Sequence, residues 1–199
     1  FQQHHGNVTQ LDHAFGNLMD ALDEEHLTEE TIVFFTSDNG PEGDGRGDPD
    51  NPGSQRDRTR GSTGGLRGRK RADFEGGIRV PGIVRWPCHI EPGTESHTPV
   101  IGSDIFASAC DIVDILLPTE RVIDGASMRP AFDGNPIART KPLYWRTHIS
   151  PQDCRVAVRV DDWKIVADET LTDLLLFNMQ DDPQESHEVS AAHTAVFPR

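Results

Sequence analysis

An acid and an amide stand side by side in this sequence, Asp38 and Asn39, directly after the apolar run Ile32-Val33-Phe34-Phe35. Both carry hard oxygen donors of the kind that hold Mg²⁺ or Ca²⁺, but two donors do not complete a shell of six or more, so further ligands must come from elsewhere. Asp-Asn-Gly on its own is also an ordinary turn. Further along, Lys70 closes the stretch Gly64-Gly65-Leu66-Arg67-Gly68-Arg69-Lys70, where glycines permit close backbone approach and the ammonium can hold an anionic oxygen as a compact point charge. A lysine near a divalent cation suits chemistry on a phosphate or sulfate ester, in which charge on the nonbridging and leaving oxygens must be stabilised. The alternative is a solvated basic loop. Arg67 is expected to brace that loop or to pair with an acid such as Glu75. No HxxxH or HExxH pattern points to zinc. Of the histidines, His148 is the one to watch, because Tyr144-Trp145 just before it could border a pocket.

The elements that must position these groups are readable from periodicity. Val8, Leu11, Phe15, Leu18 and Leu22 recur at helical spacing and predict a helix over about residues 6 to 25 with one core-facing stripe. Residues 31 to 36 read as a short strand buried on both faces of a parallel sheet. A helix feeding such a strand argues for a layered α/β architecture, with Asp38 and Asn39 at the strand's C-terminal end, where open α/β sheets place ligands. Residues 41 to 65 lack periodicity and predict a long loop. Residues 74 to 87 suggest edge or bulged strands broken by glycine and proline. A second helix is expected from Asp104 to Leu117, stopped by Pro118. Alternating Val156, Val158 and Val160, then Asp161-Asp162 and Trp163 to Val166, predict a hairpin, with Leu174 to Phe177 as a further strand of a small C-terminal antiparallel subdomain.

Composition bounds the function. The chain has 199 residues, with 33 acids against 19 Lys and Arg, for a formal charge of -14. That surplus argues against a nucleic-acid partner, since a polyanion needs concentrated positive charge. Residues 46 to 71 are the exception, with Arg46, Arg56, Arg58, Arg60, Arg67, Arg69, Lys70 and Arg71 opposed by Asp48, Asp50 and Asp57 only. Cys88, Cys110 and Cys154 match neither a disulfide framework nor a metal cluster and are read as ordinary cysteines. The sequon Asn7-Val8-Thr9 is formally a glycosylation acceptor. No run of apolar residues is long enough for a transmembrane segment. The start FQQHHGNVTQ has no signal peptide and reads as a cut from a longer polypeptide.

Three blocks, Thr36-Ser37-Asp38-Asn39-Gly40-Pro41-Glu42, Gly65-Leu66-Arg67-Gly68-Arg69-Lys70 and Phe74-Glu75-Gly76-Gly77-Ile78-Arg79-Val80-Pro81, resemble in order and spacing the C-terminal half of the type I, formylglycine-dependent, arylsulfatase-like sulfatases. Trp163-Lys164-Ile165 and Asp182-Pro183-Gln184-Glu185 add to the likeness. The resemblance implies an alkaline-phosphatase-like α/β fold, a mixed sheet layered with helices plus a small C-terminal antiparallel subdomain. It implies residues 1 to 120 as the C-terminal part of the catalytic α/β domain and 121 to 199 as a smaller α+β subdomain. Asp38 and Asn39 resemble ligands of a single Ca²⁺, preferred over Mg²⁺, and Lys70 resembles the lysine that contacts the sulfate ester. Arg67, Glu75, Gly76, Gly77 and Arg79 match the structural signature.

In that family a Cys or Ser within C/S-x-P-x-R becomes formylglycine, whose hydrate attacks sulfur, releases the alcohol and regenerates the aldehyde. No such motif occurs in this chain, so formylglycine and the paired aspartates of the family's N-terminal portion are expected only in a missing segment, and the chain is expected to be inert alone. Arg69 and Arg71 flank Lys70 where small residues are common, and with His148 they are the candidate substrate contacts, favouring a sulfated carbohydrate over a small aryl sulfate. The family suggests a periplasmic, extracellular or lysosomal location. Two alternatives stay open, a phosphohydrolase of the same superfamily and a noncatalytic protein that binds sulfated glycans; oligomeric state is not legible.

Overall fold

The computed structural model describes residues 2–42, 61–150 and 154–193. Helix α1 (Gln2–Glu24) leads into strand β1 (Val33–Thr36), and the one-turn helix α2 (Glu75–Ile78) precedes strand β2 (Gly82–Arg85). Helices α3 (Asp104–Ile112) and α4 (Arg129–Phe132) follow, then strands β3 (Leu143–Arg146), β4 (Val156–Val160), β5 (Trp163–Ala167) and β6 (Leu174–Asn178). β1 pairs with β2, while β3, β4, β5 and β6 form a four-stranded sheet in that order. The fold is therefore mixed α/β with a separate C-terminal sheet, whose β4-β5 and β5-β6 pairs are antiparallel. Two compact units result, one of Phe1–Leu27, Phe34–Val84 and Tyr144–Arg199, the other of Thr28–Val33 and Arg85–Leu143.

In the first unit, α1 ends where His26 takes a left-handed φ of 58°. The Leu27 N–H then reaches the Leu22 carbonyl at 2.8 Å and the His26 N–H reaches that of Asp23 at 3.1 Å, which satisfies carbonyls the helix end would otherwise leave open. Phe15 packs edge-on to Phe35 of β1, with ring centres 5.2 Å apart. The remainder of the expected core stripe is less covered, for Val8, Leu11 and Leu18 are 53%, 56% and 50% exposed. β1 is likewise half-buried rather than buried on both faces.

The C-terminal sheet provides the densest packing. β4 and β5 pair in the register Val158↔Ile165 across the Asp161-Asp162 turn, with Asp161 at a φ of 51°. The β5-β6 turn closes on Asp168, whose carboxylate accepts N–H bonds from Thr172 and Asp173 at 2.7 and 2.8 Å. One face of the sheet contributes Ala157, Val166 and Phe177 to a core completed by Ala72, Phe74 and Met179. Residues 72–74 are thereby fixed on the sheet.

Two expectations need correction, and two short elements were not expected. Glu75–Ile78 forms a helical turn where a strand was expected, because the Ile78 and Arg79 N–H groups bond back to Phe74 and Glu75 carbonyls. α3 stops at Ile112, well before Pro118: Asp114 adopts a φ of 55° and the Ile115 N–H turns back to Cys110 O at 2.8 Å. β3 and α4 have no counterpart in the periodicity, being only four residues each. Most of the expected 41–65 loop lies outside the described residues.

The second unit is held by Asp104, which is fully buried at the start of α3. Its carboxylate accepts N–H bonds from Ile101 and Ala126, each at 2.9 Å, and pairs with both terminal nitrogens of Arg139 at 2.9 and 2.5 Å. Asp104→Ala should destabilise this unit by about 3–5 kcal/mol, because it strands a half-buried guanidinium and two N–H groups. Denaturant titration of the variant against wild type measures this.

Candidate functional site

The end of β1 is built by local hydrogen bonds. Asp38 Oδ1 accepts the Asn39 N–H at 2.9 Å, the Ser37 hydroxyl donates to Asn39 O at 3.1 Å, and Asn39 Nδ2 donates to Gly40 O at 2.9 Å. The amide nitrogen of Asn39 is thus engaged, which leaves its oxygen as an acceptor, while Asp38 is exposed. Among the described residues no group of three or more His, Cys, Asp or Glu side chains assembles as a metal cluster.

This turn is joined to the lysine-bearing loop through main chain. The Gly40 N–H donates to Gly77 O at 2.8 Å, and the Lys70 N–H donates to Pro41 O at 3.0 Å. The approach is so close that a Cβ on Gly40 would lie 1.9 Å from Gly76 O. Gly77 is equally confined, its Cβ position being 2.0 Å from Ala72 O, and Gly76 would meet Gly68 O at 2.3 Å. Neither space can open without moving backbone, so glycine is obligatory there. The blocks that are separate in sequence form one main-chain knot.

The cations of the loop have distinct surroundings. Lys70 Nζ stands 3.8 Å from Glu42 Oε2, and Arg71, at a left-handed φ of 76°, forks onto the same carboxylate. Arg69 instead donates to the main-chain carbonyls of Glu42 and Gly61 at 3.3 and 3.0 Å. Its charge braces the loop. Arg67 lies 4.0 Å above the Phe74 ring and donates to Glu185 O at 3.0 Å, so it does not pair with Glu75 as one expectation had it. Arg79 is mostly exposed, 3.9 Å from Glu75. His148 is exposed, its carbonyl accepting from Arg155 at 3.2 Å, and among the described residues no hydrogen bond or ion pair links it to the Lys70 loop. Arg46, Arg56, Arg58 and Arg60 of the basic stretch lie outside the described residues.

Behind the loop lies a buried charged cluster. Lys164 of β5 has no exposure and sits between Glu75 Oε1 at 2.9 Å and Glu185 Oε1 at 2.8 Å. Glu185 Oε2 also accepts the Glu75 N–H at 2.6 Å, at the first turn of α2. Burial pushes the Glu185 carboxyl up against the pull of the Lys164 ammonium. Nearby Asp73, 4% exposed and with Oδ2 lacking a hydrogen-bond partner, is pushed up to about 6 by burial, with Lys164 again pulling the other way.

Sequence reasoning quoted Glu42, Lys164 and Glu185 only as parts of a pattern and missed Asp73. A signal existed for Lys164. In the period-two alternation of β5 it shares the face of Val166, which is fully buried, so a lysine there needs a partner.

Residues 2–115 match the family model described as Sulfatase, and residues 68–196 match N-sulphoglucosamine sulphohydrolase, C-terminal. The steryl-sulfatase of Rattus norvegicus is 39% identical over 128 residues, which cover 64% of this chain and 21% of that protein. Among solved structures, Ps i-CgsB in complex with k-i-k-neocarrahexaose aligns with a TM-score of 0.77 at 25% identity, over 95% of this chain and 39% of that one. A protein from a Bacteroides thetaiotaomicron core locus for metabolism of multiple glycosaminoglycans aligns with a TM-score of 0.72 at 28% identity, over 94% of this chain and 40% of that one. The chain thus spans about a fifth of the curated relative and about two fifths of the solved chains.

Two outcomes follow from this geometry. Gly40→Ala should cost several kcal/mol, of the order of 3 or more, since Cβ would meet backbone rather than a movable side chain; chemical denaturation checks it. Asp73 has a folded pKa of about 6 against an ordinary 3.8, so the folded state binds the extra proton and stability falls as pH rises through that window. Asp73→Asn should therefore gain in Tm relative to wild type between pH 4 and pH 7, by about 2–4 °C for each kcal/mol of penalty relieved. Thermal melts across that range measure the difference.

Proposed function

The chain belongs to the sulfatase family, and from that membership we propose that the full-length protein hydrolyses sulfate esters, with a sulfated carbohydrate as substrate class. The observation that carries this reading is the main-chain knot in which the Asp38-Asn39 turn and the Lys70 loop are tied through Gly40, Pro41 and Gly77. It supports a site where oxygen donors for a cation and a compact positive charge act on one anion. The carbohydrate assignment draws support from the solved relatives, one bound to a neocarrahexaose and one from a glycosaminoglycan locus, together with Arg71 beside Lys70.

In this reading Asp38 and Asn39 hold the cation. They fit it in chemistry, since an exposed carboxylate and an amide oxygen are hard donors suited to Ca²⁺. Two donors do not complete its shell, so the remaining donors must come from elsewhere. A bound Ca²⁺ would supply Lewis-acid stabilisation of charge on a sulfate oxygen. Lys70 acts as a catalytic residue that stabilises charge on the ester oxygens as it grows, which its ammonium does without proton transfer. Arg71 exchanges its pairing with Glu42 for a substrate anion, and Arg69 holds the loop backbone in shape. Arg67, Glu75, Gly76, Gly77 and Arg79 are assigned scaffold roles. His148 is assigned to the rim of the substrate site. The sequence holds no C/S-x-P-x-R motif, so no step through formylglycine is assigned to its residues.

The division into 1–120 as part of a catalytic domain and 121–199 as a smaller subdomain belongs to the same proposal. So does a periplasmic, extracellular or lysosomal location. No helix among the described residues is long and apolar enough to cross a membrane.

The test uses the intact protein, assayed on 4-nitrophenyl sulfate and on a sulfated oligosaccharide. Lys70→Ala should lower kcat/KM by about 100- to 1000-fold, and Asp38→Ala should weaken calcium binding, read by calorimetric titration, by at least about tenfold. Preference for a phosphate monoester over both sulfate esters, or unchanged turnover in Lys70→Ala, overturns the reading.

A further inference from the structure

Glu185 concentrates an unusual number of ties in one residue. It is fully buried and sits at a left-handed φ of 55°, a backbone state that a non-glycine residue holds only when its surroundings impose it. Every side-chain and carbonyl tie described for it runs to the lysine-bearing region or to Lys164. Its carbonyl accepts from Arg67 at 3.0 Å, one carboxylate oxygen accepts the Glu75 N–H at 2.6 Å, and the other lies 2.8 Å from Lys164 Nζ. Lys164 in turn reaches Glu75 at 2.9 Å.

Arg67 and Glu75 bracket Lys70. They are themselves joined next to the loop's base, where the Gly76 N–H donates to Arg67 O at 2.6 Å. Between them Phe74 and Ala72 are locked in the core of the C-terminal sheet. At its tip the loop is tied separately, by the Lys70 N–H to Pro41 O and by Arg69 to the Glu42 and Gly61 carbonyls. Remove the buried charge pair and the base of the loop loses its anchor while its tip remains attached to the Asp38-Asn39 turn.

We propose that Lys164 and Glu185 are positioning residues, which act through Arg67 and Glu75 to hold Lys70 at the geometry its chemistry needs. This rests on the sulfatase reading for the chemistry, but not for the placement of Lys70. Through Lys164 and Glu185 the C-terminal sheet and the segment after it become part of the framework that places Lys70. Glu185→Gln keeps an acceptor for the Glu75 N–H and loses the ion pair with Lys164, whereas Glu185→Ala loses both, so the two variants grade the anchor.

The experiment uses the intact protein with Lys164→Met, Glu185→Ala and Glu185→Gln, and with Val166→Ala as a control that thins the same core without touching the charged cluster. Against 4-nitrophenyl sulfate, Lys164→Met and Glu185→Ala should lower kcat by about 100-fold with KM changed less than about threefold. Glu185→Gln should recover part of that loss, and Val166→Ala should follow its folded fraction alone. Lys70 acetylation by N-hydroxysuccinimide acetate, followed by mass spectrometry on folded protein, should rise by roughly threefold or more in the two severe variants. That labelling decides the proposal without turnover: unchanged Lys70 reactivity in folded Lys164→Met or Glu185→Ala overturns it, as does loss of kcat no greater than the Val166→Ala control. If Lys164→Met and Glu185→Ala do not fold, Glu185→Gln carries the decision, with wild-type kcat and Lys70 reactivity overturning the proposal. A wild-type protein inert toward every sulfate ester would defeat the functional reading alone.

Discussion

A lysine ammonium with no access to water is the constraint around which the first unit is arranged. Desolvating Lys164 is unfavourable by several kcal/mol, and contacts of 2.8 and 2.9 Å to two carboxylates return that energy only when the geometry is held tightly. The cluster carries more negative than positive partners. Glu185 and Asp73 are both pushed toward their protonated forms by burial, and Lys164 is the charge that resists. Such an arrangement contributes little net stability compared with apolar packing, but it tolerates few alternatives. A one-residue slip of β5 would carry Lys164 to the opposite face, away from both partners, and would remove Val166 from the core at the same time. The charge pair and the apolar register therefore specify the same pairing.

Steric exclusion completes what the buried charge begins. The Glu75 N–H that Glu185 accepts belongs to the first residue of α2, and the next two residues are the glycines against which Gly40 and Ala72 pack. A helical turn containing two glycines is poor by propensity, since each weakens a helix by about 1 kcal/mol relative to alanine. It persists because only glycine lets three main-chain segments approach at that point. The weak local preference is overruled by electrostatics on one side and by the absence of side chains on the other.

That competition explains which features were legible. The β4-β5 hairpin could be read directly, because alternating valines and the Asp161-Asp162 turn express local preferences that the fold also uses. α1 was legible as a helix but its surroundings were not: helical spacing says which residues share a stripe, and Val8, Leu11 and Leu18 remain exposed all the same. α2 was misread because Gly76 and Gly77 signal a break when taken locally. The Lys164-Glu75 pair joins residues 89 apart in sequence, and no window or motif could connect them. Asp38, Asn39 and Lys70 were found as types at spacings; the knot that unites their segments is a matter of backbone carbonyls, which sequence does not display.

The loop also separates two tasks that a single charged cluster would confuse. Its shape rests on buried or main-chain contacts, from Arg67 and Arg69 to carbonyls and from Glu75 to Lys164. Its outward charges rest on Glu42, shared by Lys70 and Arg71, whose own side chains are 37% and 44% exposed. Exposed pairs of this kind are worth only about 0–1 kcal/mol. An incoming anion that displaces Glu42 exchanges one carboxylate partner for another and releases the first to water, so little is lost. Displacing Glu185 would leave the buried Lys164 with one carboxylate in place of two and no water to replace the lost one. The difference in burial alone thus makes one acid replaceable and the other permanent, and the proposed anion site needs both kinds.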